Sequence, residues 1–134
     1  MTRRIIIKKV EMPPPGSLQR DIDFICKSFG YFSDRDKKGT AGKIFRIIVQ
    51  KAKDKGLSSE EIARRLRLTR GAIVHHLNSF IESGLIIREG NTYKLRAQSL
   101  QKSIDEIKED IDRMFNELKK IAKEIDERLG NIYR

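Results

Sequence analysis

At 134 residues, with 38% hydrophobic and 36% charged side chains and no Trp, the chain has material for one modest core under a heavily charged surface. No apolar run approaches the roughly 18 residues of a membrane span; the apolar part of "MTRRIIIKKVEM" is too short for a secretory h-region; and a lone Cys26 excludes an intramolecular disulfide framework and fits a reducing cytoplasm. The net charge of +10 is uneven: residues 1–97 hold 21 Lys/Arg against 10 Asp/Glu and residues 98–129 hold 7 against 9, so any affinity for polyanions belongs to the body of the chain.

The predicted elements fall in three parts: 1–39, 40–97 and 98–134. "RRIIIKKVEM", Arg3–Met12, reads as a short strand, closed by "PPPG" at Pro13–Gly16, which neither strand nor helix absorbs. Ser17 then caps a helix in which Leu18, Ile22, Ile25 and Phe29 recur at helical spacing. "GYFSDRDKKG", Gly30–Gly39, reads as a charged loop. Thr40 is the expected cap of a second helix with Ile44, Ile47, Ile48 and Ala52 as its apolar stripe, ended by a left-handed Gly56. Ser58 with Glu61 three residues on is a capping box for a third helix, whose Ile62, Ala63 and Leu66 face inward. After a break at Arg67–Leu68, Thr69 caps a fourth helix, which runs to about Ser83 and is ended by Gly84. "LIIREGNTYKL" is a hairpin turning at Gly90–Asn91, residues that tolerate positive φ.

From Gln98 to Leu129 there is no helix breaker, and Gly130–Asn131 is the stop. Leu100, Ile104, Ile107, Ile111, Met114, Leu118, Ile121 and Ile125 alternate steps of four and three, a heptad seam with Ile104, Ile111, Leu118 and Ile125 at a and the others at d; Phe115, Ala122 and Leu129 widen it at e. A helix of 30 residues spans about 45 Å, longer than the small domain before it. Pairing with a second copy is therefore the expected way to bury the stripe, ahead of folding back on the same chain. No buried Asn fixes whether the paired helices run parallel or antiparallel.

Helix, capped helix, tight turn, capped helix, hairpin is the order of a winged helix-turn-helix. "LSSEEIARRLRLTRGAIVHHLNSFIESGLIIREGNTYKL" resembles the winged-helix transcriptional regulators of the arsenic-repressor-like (ArsR) superfamily, archaeal members especially. "LSSEEIARRL" matches the positioning helix, "LTRGAIVHHLNSFIESGLI" the recognition helix and "REGNTYKL" the wing. The resemblance covers roughly residues 40–97; the long dimerising helix is similar to what such regulators carry, and residues 3–29 match nothing in the pattern. It implies a mainly α fold with a small β-hairpin wing and a dimer on double-stranded DNA.

The residues support the same expectation. On a helical wheel Ile73, Leu77, Phe80 and Ile81 share the core face of the fourth helix, leaving Gly71, His75, Asn78 and Ser79 outward and Thr69 and Arg70 at its tip. A major groove about 12 Å wide takes one helix. There Arg70 can donate two bonds to guanine, Asn78 can read adenine or meet a phosphate, and His75 can donate or accept. Val74 can meet a thymine methyl, and Gly71 lets backbone approach closely. Arg64, Arg65 and Arg67 before the tip, and Arg88 and Lys94 beside the hairpin turn, are the expected phosphate contacts, with Lys43 and Arg46 weighed as further ones. Taken singly, the arginines equally suit a solvated face, and His76 suits a half-buried packing role.

Metal sensing, common among arsenic-repressor relatives, needs a ligand cluster. Cys26, His75 and His76 do not make one, so no metal is expected. No nucleophile–base pair or phosphate loop points to catalysis: "GTAGK" at Gly39–Lys43 lacks the P-loop spacing. No cofactor is expected, and an effector is not legible. The competing reading is a winged-helix protein-docking module of transcription or replication machinery that never touches DNA. RNA binding ranks third, because no aromatic stacking platform is evident.

Overall fold

The computed structural model describes residues 4–32, 39–51 and 55–131. The chain divides into two compact units, Met1–Ser103 and Ile104–Arg134. Across both it is mainly helical, with a small three-stranded antiparallel sheet and a long C-terminal helix.

In the first unit, α1 (Leu18–Ser28) starts where the Ser17 hydroxyl accepts the Arg20 N–H at 3.2 Å and ends at Phe29. It buries Ile22 and Cys26 and leaves Leu18, placed in the stripe by spacing, exposed. Thr40 is not the cap of α2 (Thr40–Gln50): it is the first helical residue, and Gly39 precedes it in the left-handed region at φ 65° with no side-chain cap bond. The buried stripe of α2 is Ile44, Phe45 and Ile48, with Ile47 only half-buried; Ala52 lies outside the described residues. Lys51 ends this helix, and Gly56 has a different task. At φ 92°, a Cβ there would sit 2.8 Å from the Tyr93 carbonyl oxygen, so glycine lets the chain lie against the third strand.

Beyond Gly56 comes β1 (Leu57–Ser58), a strand not expected from the sequence. It runs straight into α3 (Ser59–Leu66), with the Ser58 hydroxyl accepting the Glu61 N–H at 3.1 Å. Residues 67–69 lead to α4 (Arg70–Ser83), which Gly84 ends at φ 90°. The hairpin pairs β2 (Ile86–Glu89) with β3 (Thr92–Leu95), and β1 joins the other edge of β3 through Leu57 opposite Tyr93. At the two-residue turn positive φ falls on Gly90 and not on Asn91, the II′ arrangement.

The core gathers where α1, α2 and α4 meet. Tyr31, at the start of the stretch read as a charged loop, is buried with its ring centroid 4.6 Å from Phe80 and 5.8 Å from Phe45, and Phe45 and Phe80 stand edge to face at 5.4 Å. The Tyr31 hydroxyl bonds to Ser83, whose own hydroxyl donates to the Phe80 carbonyl at 2.8 Å. Burial pushes the Tyr31 phenol well above its ordinary titration range.

Residues 4–14 do not form the expected strand. Their backbone closes helix ends instead: the Arg4 N–H donates to the Glu82 carbonyl at 3.2 Å and the Lys8 N–H to the Ser28 carbonyl at 2.7 Å. The last carbonyls of a helix have no intrahelical donor, so this segment spends its N–H groups on the ends of α4 and α1. Among the described residues it pairs with no strand of the sheet.

The last helix, α5 (Leu100–Leu129), begins within the first unit. The Ser99 hydroxyl accepts the Lys102 N–H at 3.1 Å, while the buried Ser103 hydroxyl donates to the Ser99 carbonyl and accepts the Ala97 N–H. From Ile104 onward α5 constitutes the second unit and ends before Gly130, at φ 75°. Leu100, Ile104 and Ile111 of the seam are half-buried and Ile107 is buried, whereas Met114, Phe115, Leu118, Ile121, Ile125 and Leu129 are all exposed. Lys108 to Asp112 and Arg113 to Asp110 form ion pairs along this helix.

Candidate nucleic-acid interface

The fourth helix separates two chemistries by face. Ile73, Leu77 and Phe80 are fully buried, while Thr69, Arg70, Gly71, His75 and Asn78 are exposed and Val74, His76 and Ser79 half-buried. The Thr69 hydroxyl accepts the Ala72 N–H at 3.3 Å and so starts the helix at its exposed tip. Its first turn carries no acid, whereas that of α3 carries Glu60 and Glu61. The positive end of the α4 dipole thus faces outward beside Arg70 with no carboxylate of its own turn to offset it.

Arg70, Val74 and Asn78 of α4 line a cleft of about 240 Å³ together with Ser58, Ser59 and Glu60, where β1 passes into α3, and Arg88, Asn91 and Tyr93 of the hairpin. Four of the residues singled out from the sequence, Arg70, Val74, Asn78 and Arg88, therefore share one concave surface. Ser58, Ser59, Asn91 and Tyr93 were not singled out as site residues. For Tyr93 a signal was available, since a two-residue turn at 90–91 puts residue 93 directly opposite residue 88.

The other expected positions lie elsewhere. Arg64, Arg65 and Arg67 are exposed around the end of α3. Arg67 is the one non-glycine residue with positive φ among those described (54°), and it donates its backbone N–H to the Ala63 carbonyl as the helix cap. Gly71 has open space where a Cβ would stand. The His75 and His76 rings meet edge to face at 5.4 Å, and among the described residues no group of three or more His, Cys, Asp or Glu could hold a metal ion. Lys43 is exposed, but Arg46 donates to Gln19 Oε1 at 2.8 Å, and Gln19 in turn donates to Asp23 at 3.0 Å, so Arg46 is engaged in packing α2 on α1.

The hairpin separates its two expected cations. Directly opposed residues of an antiparallel pair share a face. Arg88 pairs with Tyr93 and Ile86 with Leu95, all on the face that carries the buried side chains; Ile87 pairs with Lys94 and Glu89 with Thr92, on the other. Arg88 Nε donates to the Gly90 carbonyl at 2.8 Å, and its guanidinium carbon lies 5.6 Å from the Tyr93 ring centroid. Lys94 Nζ lies 3.0 Å from Glu89 Oε1. Comparison of the chain with protein-family models, with curated proteins and with solved structures finds no match.

Proposed function

We propose that the chain is a sequence-specific, double-stranded-DNA-binding transcriptional regulator acting as a homodimer, with residues 40–97 as its winged helix-turn-helix. In this reading α3 is the positioning helix, residues 69–83 enter the major groove, and the hairpin is a wing against the backbone or minor groove. One observation carries it. The buried side of α4 anchors the helix, while its polar side, from Arg70 to Asn78, stays open and shares a cleft with Arg88.

The chemistry of that side suits base edges. The planar Arg70 fork matches the two acceptors of guanine, Asn78 the donor–acceptor pair of adenine, and half-buried Val74 a thymine methyl. Arg64, Arg65 and Arg67 flank the tip as phosphate contacts, and Gly71 leaves the backbone bare toward the groove. The exposed stripe from Met114 to Leu129 supports pairing through α5. Two copies then present two α4 helices to half-sites about 34 Å apart on a near-palindromic sequence. No cofactor enters this reading.

Selection of bound sequences from random duplexes, followed by mobility shifts, tests it. The selected sites are expected to carry two-fold symmetry. Arg70→Ala should flatten preference at one base pair per half-site by about 10- to 100-fold, with phosphate affinity largely retained. Elution from a heparin column together with neutral proteins would refute DNA binding and favour protein docking.

A further inference from the structure

The hairpin carries two cations that its sequence makes look equivalent, Arg88 and Lys94. The structure gives them opposite circumstances. Arg88 stands on the face that walls the cleft; its Nε–H is committed to the Gly90 carbonyl of the turn, and its guanidinium lies over the buried Tyr93 ring. Of the five N–H groups of an arginine, the Nε bond uses one and fixes the plane of the others. The two Nη groups form the fork that takes a phosphate oxygen pair, and an arginine stacked on an aromatic ring keeps that fork oriented. Lys94 stands on the opposite face, half-buried, with its ammonium against the Glu89 carboxylate. Its ammonium already has an anionic partner, which a phosphate would have to displace or share.

We propose that the hairpin delivers one working cation to a DNA phosphate, Arg88, with Tyr93 as its positioning residue, and that Glu89 withholds Lys94. This rests on the DNA-binding reading given above. The consequence is numerical. Each phosphate neutralised by a bound cation contributes about 0.9 to the slope of log K against log salt on B-form DNA. The wing therefore contributes about one such step, where its sequence suggests two.

The test is the salt dependence of the full chain on a fluorescently labelled linear duplex of mixed sequence, read by anisotropy across a KCl series. Arg88→Gln is expected to lower the slope by about 0.9, and Lys94→Gln to leave slope and affinity unchanged. Tyr93→Phe, which keeps the ring, should behave as the wild type. Tyr93→Leu should lower the slope as Arg88→Gln does and add nothing to it in the double variant, a non-additivity that loss of fold stability alone does not produce. Glu89→Gln should tighten binding, and the gain should vanish when Lys94→Gln is added. Tyr93 is buried, so Tyr93→Leu can fail to fold, but the surface pair Arg88→Gln and Lys94→Gln decides the claim without it. A Lys94→Gln slope as low as that of Arg88→Gln, on a wild type that binds DNA, would overturn this inference alone. A wild type that does not bind the duplex overturns it together with the reading on which it rests.

Discussion

On the proposed pairing through α5, Leu118→Glu in the second unit should separate the two chains without unfolding either. The exposed stripe of α5 consists of Met114 (42% exposed), Phe115 (59%), Leu118 (62%), Ile121 (53%), Ile125 (51%) and Leu129 (69%). Full burial of such a side chain is worth about 1.5–3 kcal/mol. The part still exposed on Leu118 thus represents about 1–2 kcal/mol per chain and about 2–4 kcal/mol in a symmetric pair. Across six side chains the stripe offers the proposed pair about 10–20 kcal/mol, against an association cost of about 4–15 kcal/mol, so each seam residue is a sizeable fraction of the margin. Leu and Glu have similar helix propensity, so α5 itself persists. The expected weakening is about 30- to 700-fold in Kd, before any repulsion between the two new carboxylates. Sedimentation equilibrium over a concentration series measures it, with Lys119→Glu, next in sequence but off the seam, as the charge control. A wild type that remains monomeric at about 100 µM, or a Leu118→Glu chain whose mass distribution is unchanged, would refute the pairing.

Gly56→Ala should destabilise the first unit by about 1–3 kcal/mol in urea melts, because the new Cβ is forced into positive φ and placed 2.8 Å from the Tyr93 carbonyl oxygen. Gly71→Ala, in open space on a helix, should instead gain about 0.5–1 kcal/mol while weakening DNA binding where the backbone approaches the groove. Arg67→Gly should relieve a left-handed residue worth about 1 kcal/mol or more, raising the melting temperature as it lowers affinity for DNA. Tyr31→Phe removes a buried hydroxyl bonded to Ser83 and should cost about 1–2 kcal/mol near neutral pH. The folded-state pKa of Tyr31 is raised, so the stability it provides is complete below the unfolded value near 10 and declines as pH rises above it. The gap between Tyr31→Phe and wild type should therefore narrow in melts at about pH 10.5 compared with pH 8.

What the sequence made legible was local. Ser17, Ser58 and Thr69 act as caps because each needs only an N–H three residues ahead. The hairpin register follows from its turn, and the unbroken step of α5 follows from the absence of glycine and proline between Gln98 and Leu129. What stayed hidden depends on distant partners. The strand expected at Arg3–Met12 has β-branched residues, but its described residues pair with no strand, and two helix ends recruit the N–H groups of Arg4 and Lys8. Leu57–Ser58 has no strand pattern of its own and becomes β1 because β3 lies alongside it. Tyr31 sat in a stretch that charge and glycine marked as loop, yet Phe45, Phe80 and Ser83, from two other helices, enclose it. Within the site, the wheel placed Ile73, Leu77 and Phe80 inside and Gly71, His75 and Asn78 outside, whereas Ile81, expected in the core, and Ser79, expected outward, are both half-buried. Charge alone ranked Lys94 with Arg88. Only pairing parity and the Glu89 contact set them apart.

The stretch from Arg67 to Arg70 works against the local rules that the rest of the chain obeys. Gly39, Gly56, Gly84, Gly90 and Gly130 take positive φ, as glycine does at least cost, yet the left-handed position between α3 and α4 is filled by an arginine. Carboxylates occupy the first turn of α3, where a helix dipole favours them, yet α4 opens with Arg70 and has no acid in its first turn. Each choice destabilises the free protein by about 1 kcal/mol, and the two fall within four residues of one another. On the proposed DNA-binding reading, a phosphate backbone beside this stretch offsets the charge cost, because the exposed helix end and Arg70 then face an anion, while the left-handed strain at Arg67 remains. A fold selected for its own stability alone would place glycine at 67 and an acid at 70. On the proposed reading, Arg67 and Arg70 stand there because both side chains are exposed beside the N-terminal end of α4, where a phosphate would meet them.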